Sequence, residues 1–177
     1  DVNHAGVPCA IHGGSFVDDE AELAAAERLW TPVNGEKPKG AVAYVPQPCL
    51  LLAQWSKLAW NVPFNGCTVL AAGADVGALW SDAAGRDAAV AVMREVCRAA
   101  NADLAARGSE ASLDEEAVVA RLSAVTDDMA EVNYVPSTTK DFREGRRMEV
   151  EAIFGEPLRR ALANGVATPR LEAMAAL

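Results

Sequence analysis

The chain has 177 residues, 51% of them hydrophobic and 23% charged, which is enough apolar material for one domain's core and too much for a disordered chain. Its formal net charge is −9, and this argues against nucleic-acid binding, which calls for a basic patch. Abundant alanine and few aromatics lean towards helix.

Four cysteines, Cys9, Cys49, Cys67 and Cys97, are scattered without a Cys-x-x-Cys pair, so metal-site spacing is absent. Reduced, mostly buried thiols are the expectation, and with them a cytoplasmic protein. His4 and His12 stand too far apart to suggest a metal site. No apolar run approaches the roughly 18–20 residues of a membrane span, and no signal peptide is visible. The chain starts at Asp1 rather than Met, which is read as a cut or an unseen leader. The one dense basic cluster, Lys140, Arg143, Arg146 and Arg147, is long enough for a single anionic small molecule and too short for a nucleic-acid groove. A solvated helix face explains it equally well.

Residues 1–17 read as extended structure with turns. Val7–Ile11 is a short apolar run, and Gly13-Gly14 punctuates it. Asp18 or Asp19 caps an expected helix over about Glu20–Trp30. Residues 31–48 hold Pro32, Gly35, Pro38, Gly40, Pro46 and Pro48 and form a connector, with a short strand possible in the alternation at Ala41–Val45. Leu50–Leu70 is almost wholly apolar, too rich for a surface helix. Pro63 is expected to kink or break it near Asn61, and Gly73 to stop it. A long amphipathic helix follows over about Ala83–Ala106, closed by Gly108. Ser112-Leu-Asp-Glu115 has the pattern of a capping box opening a helix to about Ala130. Pro136 and Ser137 start a segment that runs through Arg147 to Asn164, bent at Gly155 and Pro157 and ended by Gly165. Thr168-Pro169 opens a last short helix through a cap and a first-turn proline.

The most informative segment is Gln54–Thr68. On a helical wheel Gln54, Lys57, Asn61, Asn65 and Thr68 fall in one arc of roughly 80°. The rest of the circumference is nearly all apolar or small, with Ser56 the main exception. A helix apolar over most of its surface is buried, and a buried lysine is costly unless paired or facing a wet cleft. The stripe is therefore expected to line a cleft, where a lysine donates a proton or holds an anion. Asparagines beside it donate to carbonyl and hydroxyl oxygens. The alternative is a stripe that simply faces water, with the wheel distorted by Pro63.

A second constellation spans Ser137 to Glu149. Ser137 sits where a helix amino terminus should begin, so it is either an N-cap or, with the free backbone N–H groups there, a carboxylate ligand. Glu149 lies twelve residues on, roughly 120° round an ideal helix, so spacing alone does not bring the two to one face. Asp141, one turn from Ser137, complements the helix dipole.

Together these segments resemble the carboxy-terminal domain of ketopantoate reductases. Trp55, Lys57, Leu58, Asn61 and Asn65 match the family's W-x-K-L-x-x-N-x-x-x-N pattern. Ser137, Asp141, Gly145, Arg146 and Glu149 match its S-x-x-x-D…G-R-x-x-E pattern, and Gly165-Val-Ala-Thr-Pro169 matches its G-[IV]-x-[TV]-P near the end. The resemblance covers roughly Gln54 to Leu177. It is thinner earlier, where Ala5–Phe16 and Asp18–Leu29 are similar to the last hairpin and final helix of the family's nucleotide-binding domain. The connector 31–48 departs from the usual pattern.

The resemblance implies a mainly α fold, a helical bundle of the class that caps the Rossmann domain in 6-phosphogluconate-dehydrogenase-like enzymes, with a short β remnant at the amino terminus. It implies a remnant of the nucleotide-binding domain at 1–48 and a helical substrate-binding and dimerisation domain at 49–177. The implied reaction is NADPH-dependent reduction of the 2-keto acid ketopantoate to pantoate for coenzyme A synthesis. Lys57 is then the general acid, Asn61 and Asn65 hold substrate oxygens, and Ser137 binds the carboxylate. Glu149 holds substrate or the cofactor's ribose side and orients Lys57. The implied assembly is a homodimer.

One departure matters. The family's G-x-G-x-x-G turn between a strand and a helix is absent, and His12-Gly13-Gly14 reads as a hairpin turn instead. A preceding Rossmann segment is therefore expected as a partner, and the fragment alone is expected to be inactive. Two other readings stay open: a non-enzymatic, truncated helical module that dimerises through apolar faces, and a reductase for another branched 2-keto acid.

Overall fold

A computed structural model describes residues 10–13, 43–46 and 50–176, and the expected helix over about Glu20–Trp30 lies outside them. The chain divides into two compact units, Asp1–Gln54 and Trp55–Leu177. In the first, β1 (Ala10–Gly13) pairs with β2 (Ala43–Pro46) in parallel, Ala10 opposite Ala43 and Gly13 opposite Pro46. The strand expected at Ala41–Val45 is present, shifted by one or two residues. The hairpin is corrected: Gly13 lies inside a strand whose partner is parallel, and a parallel pair needs a crossover, which a tight turn cannot make.

The carboxy-terminal part is all helix, as the composition and periodicity suggest. Its elements are α1 (Leu50–Leu70), α2 (Val76–Ser81), α3 (Ala83–Ala106), α4 (Glu115–Glu131), α5 (Ser137–Arg143), a π-helical turn (Glu151–Gly155), α6 (Glu156–Ala163) and α7 (Pro169–Ala175). The second half of α1 is enclosed: Val62, Phe64 and Thr68 have no exposed surface. Trp55 reaches α3, Trp60 reaches α4, Asn65 reaches α5, and Gly66 faces Met174 of α7.

Helix α1 runs unbroken through Pro63, against the expected break. An interior proline costs about 3 kcal/mol. Burying Val62, Phe64 and Val69 returns about 1.5–3 kcal/mol per side chain, so tertiary packing wins. The helix ends as expected at Gly73, whose N–H reaches back to Thr68 O (2.9 Å) with Ala72 and Gly73 both at positive φ.

The caps differ from expectation in a consistent way. Helix α2 was not foreseen; Asp75 caps it, accepting from Ala78 N at 2.8 Å. Asp82 caps α3 (Gly85 N, 2.7 Å), and Asp114, not Ser112, caps α4 (Ala117 N, 3.0 Å). The capping box misses because Leu113 is pinned outside the helix. Asn101 of α3 accepts from its N–H at 2.7 Å and donates to its carbonyl at 2.9 Å. At α7 the Thr168 hydroxyl makes no cap bond. The buried carboxylate of Glu95, on α3, takes the N–H groups of Arg170 (3.0 Å) and Leu171 (3.1 Å) instead.

The single segment expected from Ser137 to Asn164 is interrupted. Helix α5 stops at Arg143, and Gly145 at φ +63° turns the chain out of it. Helical structure resumes at Val150, enters the π turn at Glu151 and ends at Gly165, where Val166 N bonds Ala161 O (2.9 Å).

Candidate functional site

The polar stripe exists and is graded. Gln54 and Lys57 are exposed, Asn61 is half-buried, and Asn65 and Thr68 are buried. At the Lys57 end of α1 the stripe emerges from the packed helix, so the lysine carries no burial cost. Among the described residues no carboxylate pairs with Lys57. Asn61 lies one turn further along the same face, about 6 Å of axial rise.

The buried end of the stripe holds another helix in place. Asn65, only 2% exposed, donates from Nδ2 to Asn61 O (2.9 Å) and accepts Thr138 N–H at Oδ1 (3.1 Å). Thr68 hydrogen-bonds through its hydroxyl to Thr139 Oγ1 and to Phe64 O. The first turn of α5 is thus built onto the stripe, and Ser137, exposed, is the neighbour of the residue Asn65 holds. Ser137 is not the N-cap; Pro136 occupies that position without a side-chain bond, and Asn65 supplies the acceptor from α1. Glu149 is exposed, on the stretch between α5 and the π turn, and its carbonyl accepts Ile153 N–H (3.1 Å). The structure thus joins Asn61, Asn65 and the start of α5, sets Lys57 on the same helix face, and leaves Glu149 with no hydrogen bond to any of them.

Most of the basic cluster is engaged internally. Arg143 donates to Gly73 O (2.8 Å), Lys140 lies over the Tyr134 ring (5.7 Å), and Arg146 pairs with Asp141 (2.8 Å). Asp141 therefore serves an ion pair as well as the helix end. Tyr134 stands edge-on to Trp60 (6.0 Å), and burial raises its phenol pKa. Sequence reasoning did not single out Thr138 and Thr139. Thr138 is 1% exposed and its hydroxyl has no partner among the described residues. Nothing in a lone Thr-Thr pair marks such a role.

A seat for a dinucleotide pyrophosphate uses free N–H groups at a helix amino terminus. Here Asp75, Asp82, Asp114 and Glu95 fill four of these termini with carboxylates, and Asn65 fills a fifth.

The helical domain is similar to known proteins. A family profile described as "Ketopantoate reductase PanE/ApbA C terminal" matches residues 50–177. The 2-dehydropantoate 2-reductase of a Nostoc species is 31% identical over 71% of this chain and 36% of its own length. The crystal structure of 2-dehydropantoate 2-reductase from Geobacter metallireducens superposes with a TM-score of 0.74 at 31% identity, over 86% of this chain and 47% of that one. A D-mandelate dehydrogenase solved with NADH and anilino(oxo)acetate superposes with a TM-score of 0.73 over 94% of this chain and 64% of that one. At 20% identity the last shares the fold alone. The chain spans roughly a third to a half of the first two relatives.

Proposed function

We propose, on the premise that this chain belongs to the ketopantoate reductase family and carries its carboxy-terminal domain, that it forms the catalytic half of an NADPH-dependent 2-keto-acid reductase acting on 2-dehydropantoate. The observation that carries the reading is the graded stripe: an exposed lysine and a half-buried asparagine on one helix face, whose buried end fixes the neighbour of Ser137. In this reading the Lys57 ammonium gives its proton to the keto oxygen as that carbon is reduced, and water restores the proton afterwards. The Asn61 amide holds a substrate oxygen. The Ser137 hydroxyl donates to the carboxylate. Asn65 holds a second substrate oxygen with what its amide keeps beyond the bonds to Asn61 O and Thr138 N–H, and through those bonds it positions Asn61 and the start of α5. Glu149 supplies a carboxylate for substrate or ribose hydroxyls.

NADPH itself is not seated by these residues. Five of the described helix termini are filled by side chains of this chain, four of them carboxylates, which supports a phosphate-binding half in a Rossmann segment outside the helical domain, and no cofactor step is assigned to this chain. The segment 1–48 is read as the end of that nucleotide-binding domain, the whole as a cytoplasmic homodimer.

The test uses the native full-length chain, following loss of reduced-nicotinamide absorbance with 2-dehydropantoate and with other branched 2-keto acids. Lys57→Ala should lower kcat by about 10²–10⁴-fold, and Ser137→Ala should mainly raise KM. A Lys57→Ala enzyme with wild-type kcat/KM would overturn the reading. A higher kcat/KM on another keto acid would redirect the substrate without touching the mechanism.

A further inference from the structure

We infer that Asp103 is a positioning residue that holds Lys57 and the approach to Glu149 in one frame; the inference rests on the reductase reading above. Asp103 lies on α3, 4% exposed. Its Oδ2 accepts the Trp55 indole N–H (3.0 Å) and an Arg160 Nη1 hydrogen (3.0 Å), and its Oδ1 accepts Arg107 Nε–H (3.2 Å). Burial alone would raise the carboxyl's pKa, but the Trp55, Arg160 and Arg107 hydrogen bonds outweigh it and hold the group below the usual carboxylate range. The hub is therefore an ionised carboxylate with three donors.

Each side of the hub leads to a candidate catalytic group. Trp55, 1% exposed, is two residues from Lys57 on α1. With its ring buried and its N–H fixed, it sets the rotation of that helix about its own axis. Arg160, on α6, donates from Nε to Glu156 Oε1 (2.8 Å), and Glu156 is the first residue after the π turn. The π turn in turn bonds back to Glu149 through Ile153 N (3.1 Å). One buried carboxylate thus ties the helix bearing Lys57 to the helical segment that begins just after Glu149 and bonds its backbone carbonyl.

The magnitude follows from helix geometry. A side-chain tip sits about 5–6 Å from a helix axis, so a 10° roll moves it about 1 Å. A displacement of about 1 Å at a reacting group can cost about a hundredfold in rate. A buried ion pair is itself weak grounds for stability, since apolar replacements often do as well. A role in fixing geometry accounts for the hub where stability alone does not.

The experiment compares Asp103→Asn, Trp55→Phe, their double variant, Arg107→Gln and Lys57→Ala in the native full-length enzyme, with melting temperature as the check on folding. Asp103→Asn and Trp55→Phe should each lower kcat by about ten- to a hundredfold with KM within about twofold, and the double should be no worse than Asp103→Asn. Arg107→Gln, which removes only the exposed donor, should match the wild type. Should Asp103→Asn fail to fold, Trp55→Phe, which removes the indole N–H together with part of the buried ring, decides where its melting temperature stays near the wild type's. A dead Lys57→Ala beside folded Asp103→Asn and Trp55→Phe enzymes of wild-type kcat would overturn the positioning role and leave the reductase reading standing. A fully active Lys57→Ala would remove the reading and this inference together.

Discussion

Removing the Glu95 carboxylate should destabilise the helical domain more than removing the arginine it pairs with. Glu95 is 1% exposed and accepts three hydrogen bonds at 3.0–3.1 Å: the backbone N–H groups of Arg170 and Leu171, and the Arg170 guanidinium. In Glu95→Ala the Leu171 N–H, on a residue with no exposed surface, cannot turn to water. An orphaned buried donor costs about 1–3 kcal/mol, and a lost N-cap about 1 kcal/mol. Together these give about 2–4 kcal/mol on the same two principles. Glu95→Gln keeps one accepting oxygen and should cost less, about 1–2 kcal/mol. In Arg170→Ala both backbone bonds go on holding the buried carboxylate and only the half-exposed guanidinium is lost, which should cost about 1 kcal/mol. Urea unfolding of the native full-length protein, followed by tryptophan fluorescence, reads the order: Ala at 95, then Gln at 95, then Ala at 170. An Arg170→Ala loss equal to that of Glu95→Ala, or a Glu95→Ala loss below about 1 kcal/mol, would refute the trans-capping argument.

Three more expectations concern packing and titration. Gly66→Ala sets a methyl against Met174 Sδ and should cost about 1–3 kcal/mol by overpacking; pairing it with Met174→Ala should cost less than the two losses summed, measured by the same unfolding curves. Burial pushes the thiols of Cys67 and Cys97 up to about 11, so at pH 8 the thiolate is only about one part in a thousand. Neither should react with a disulfide reagent until urea opens the domain, and rapid native labelling of these two would show the burial to be wrong. Asp103 has a depressed folded pKa, so its contribution is complete above its unfolded value, near the ordinary 3.8, and is lost as pH falls through the lower folded one. The stability gap between wild type and Asp103→Asn should hold from neutrality to about pH 4 and close below it; a gap that widens in acid would contradict the sign.

The sequence alone carried a good deal. The near-continuous apolar character of Leu50–Leu70 meant burial, and α1 is the helix to which α3, α4, α5 and α7 all reach. The five-residue polar stripe was legible from period alone, because a helix's angular spacing does not depend on its neighbours. Gly73, Gly108 and Gly165 marked helix ends correctly, since the positive φ they adopt is a local property.

What only the tertiary structure decided were the partners. Ser112, Ser137 and Thr168 look like caps, yet the acceptors come from Asp114, from Asn65 on another helix and from Glu95 on another still. Pro63 looks like a break, but the packing around Val62 and Phe64 outweighs it. The stripe's gradient, with Lys57 exposed at one end and Thr68 enclosed at the other, depends on where the second half of α1 is surrounded. The Trp55–Asp103–Arg160 hub joins residues 48 and 57 positions apart. Periodicity reports which face a side chain shares with its near neighbours along the chain. It holds no information about which distant donor meets which acceptor, and at this site that pairing fixes the geometry.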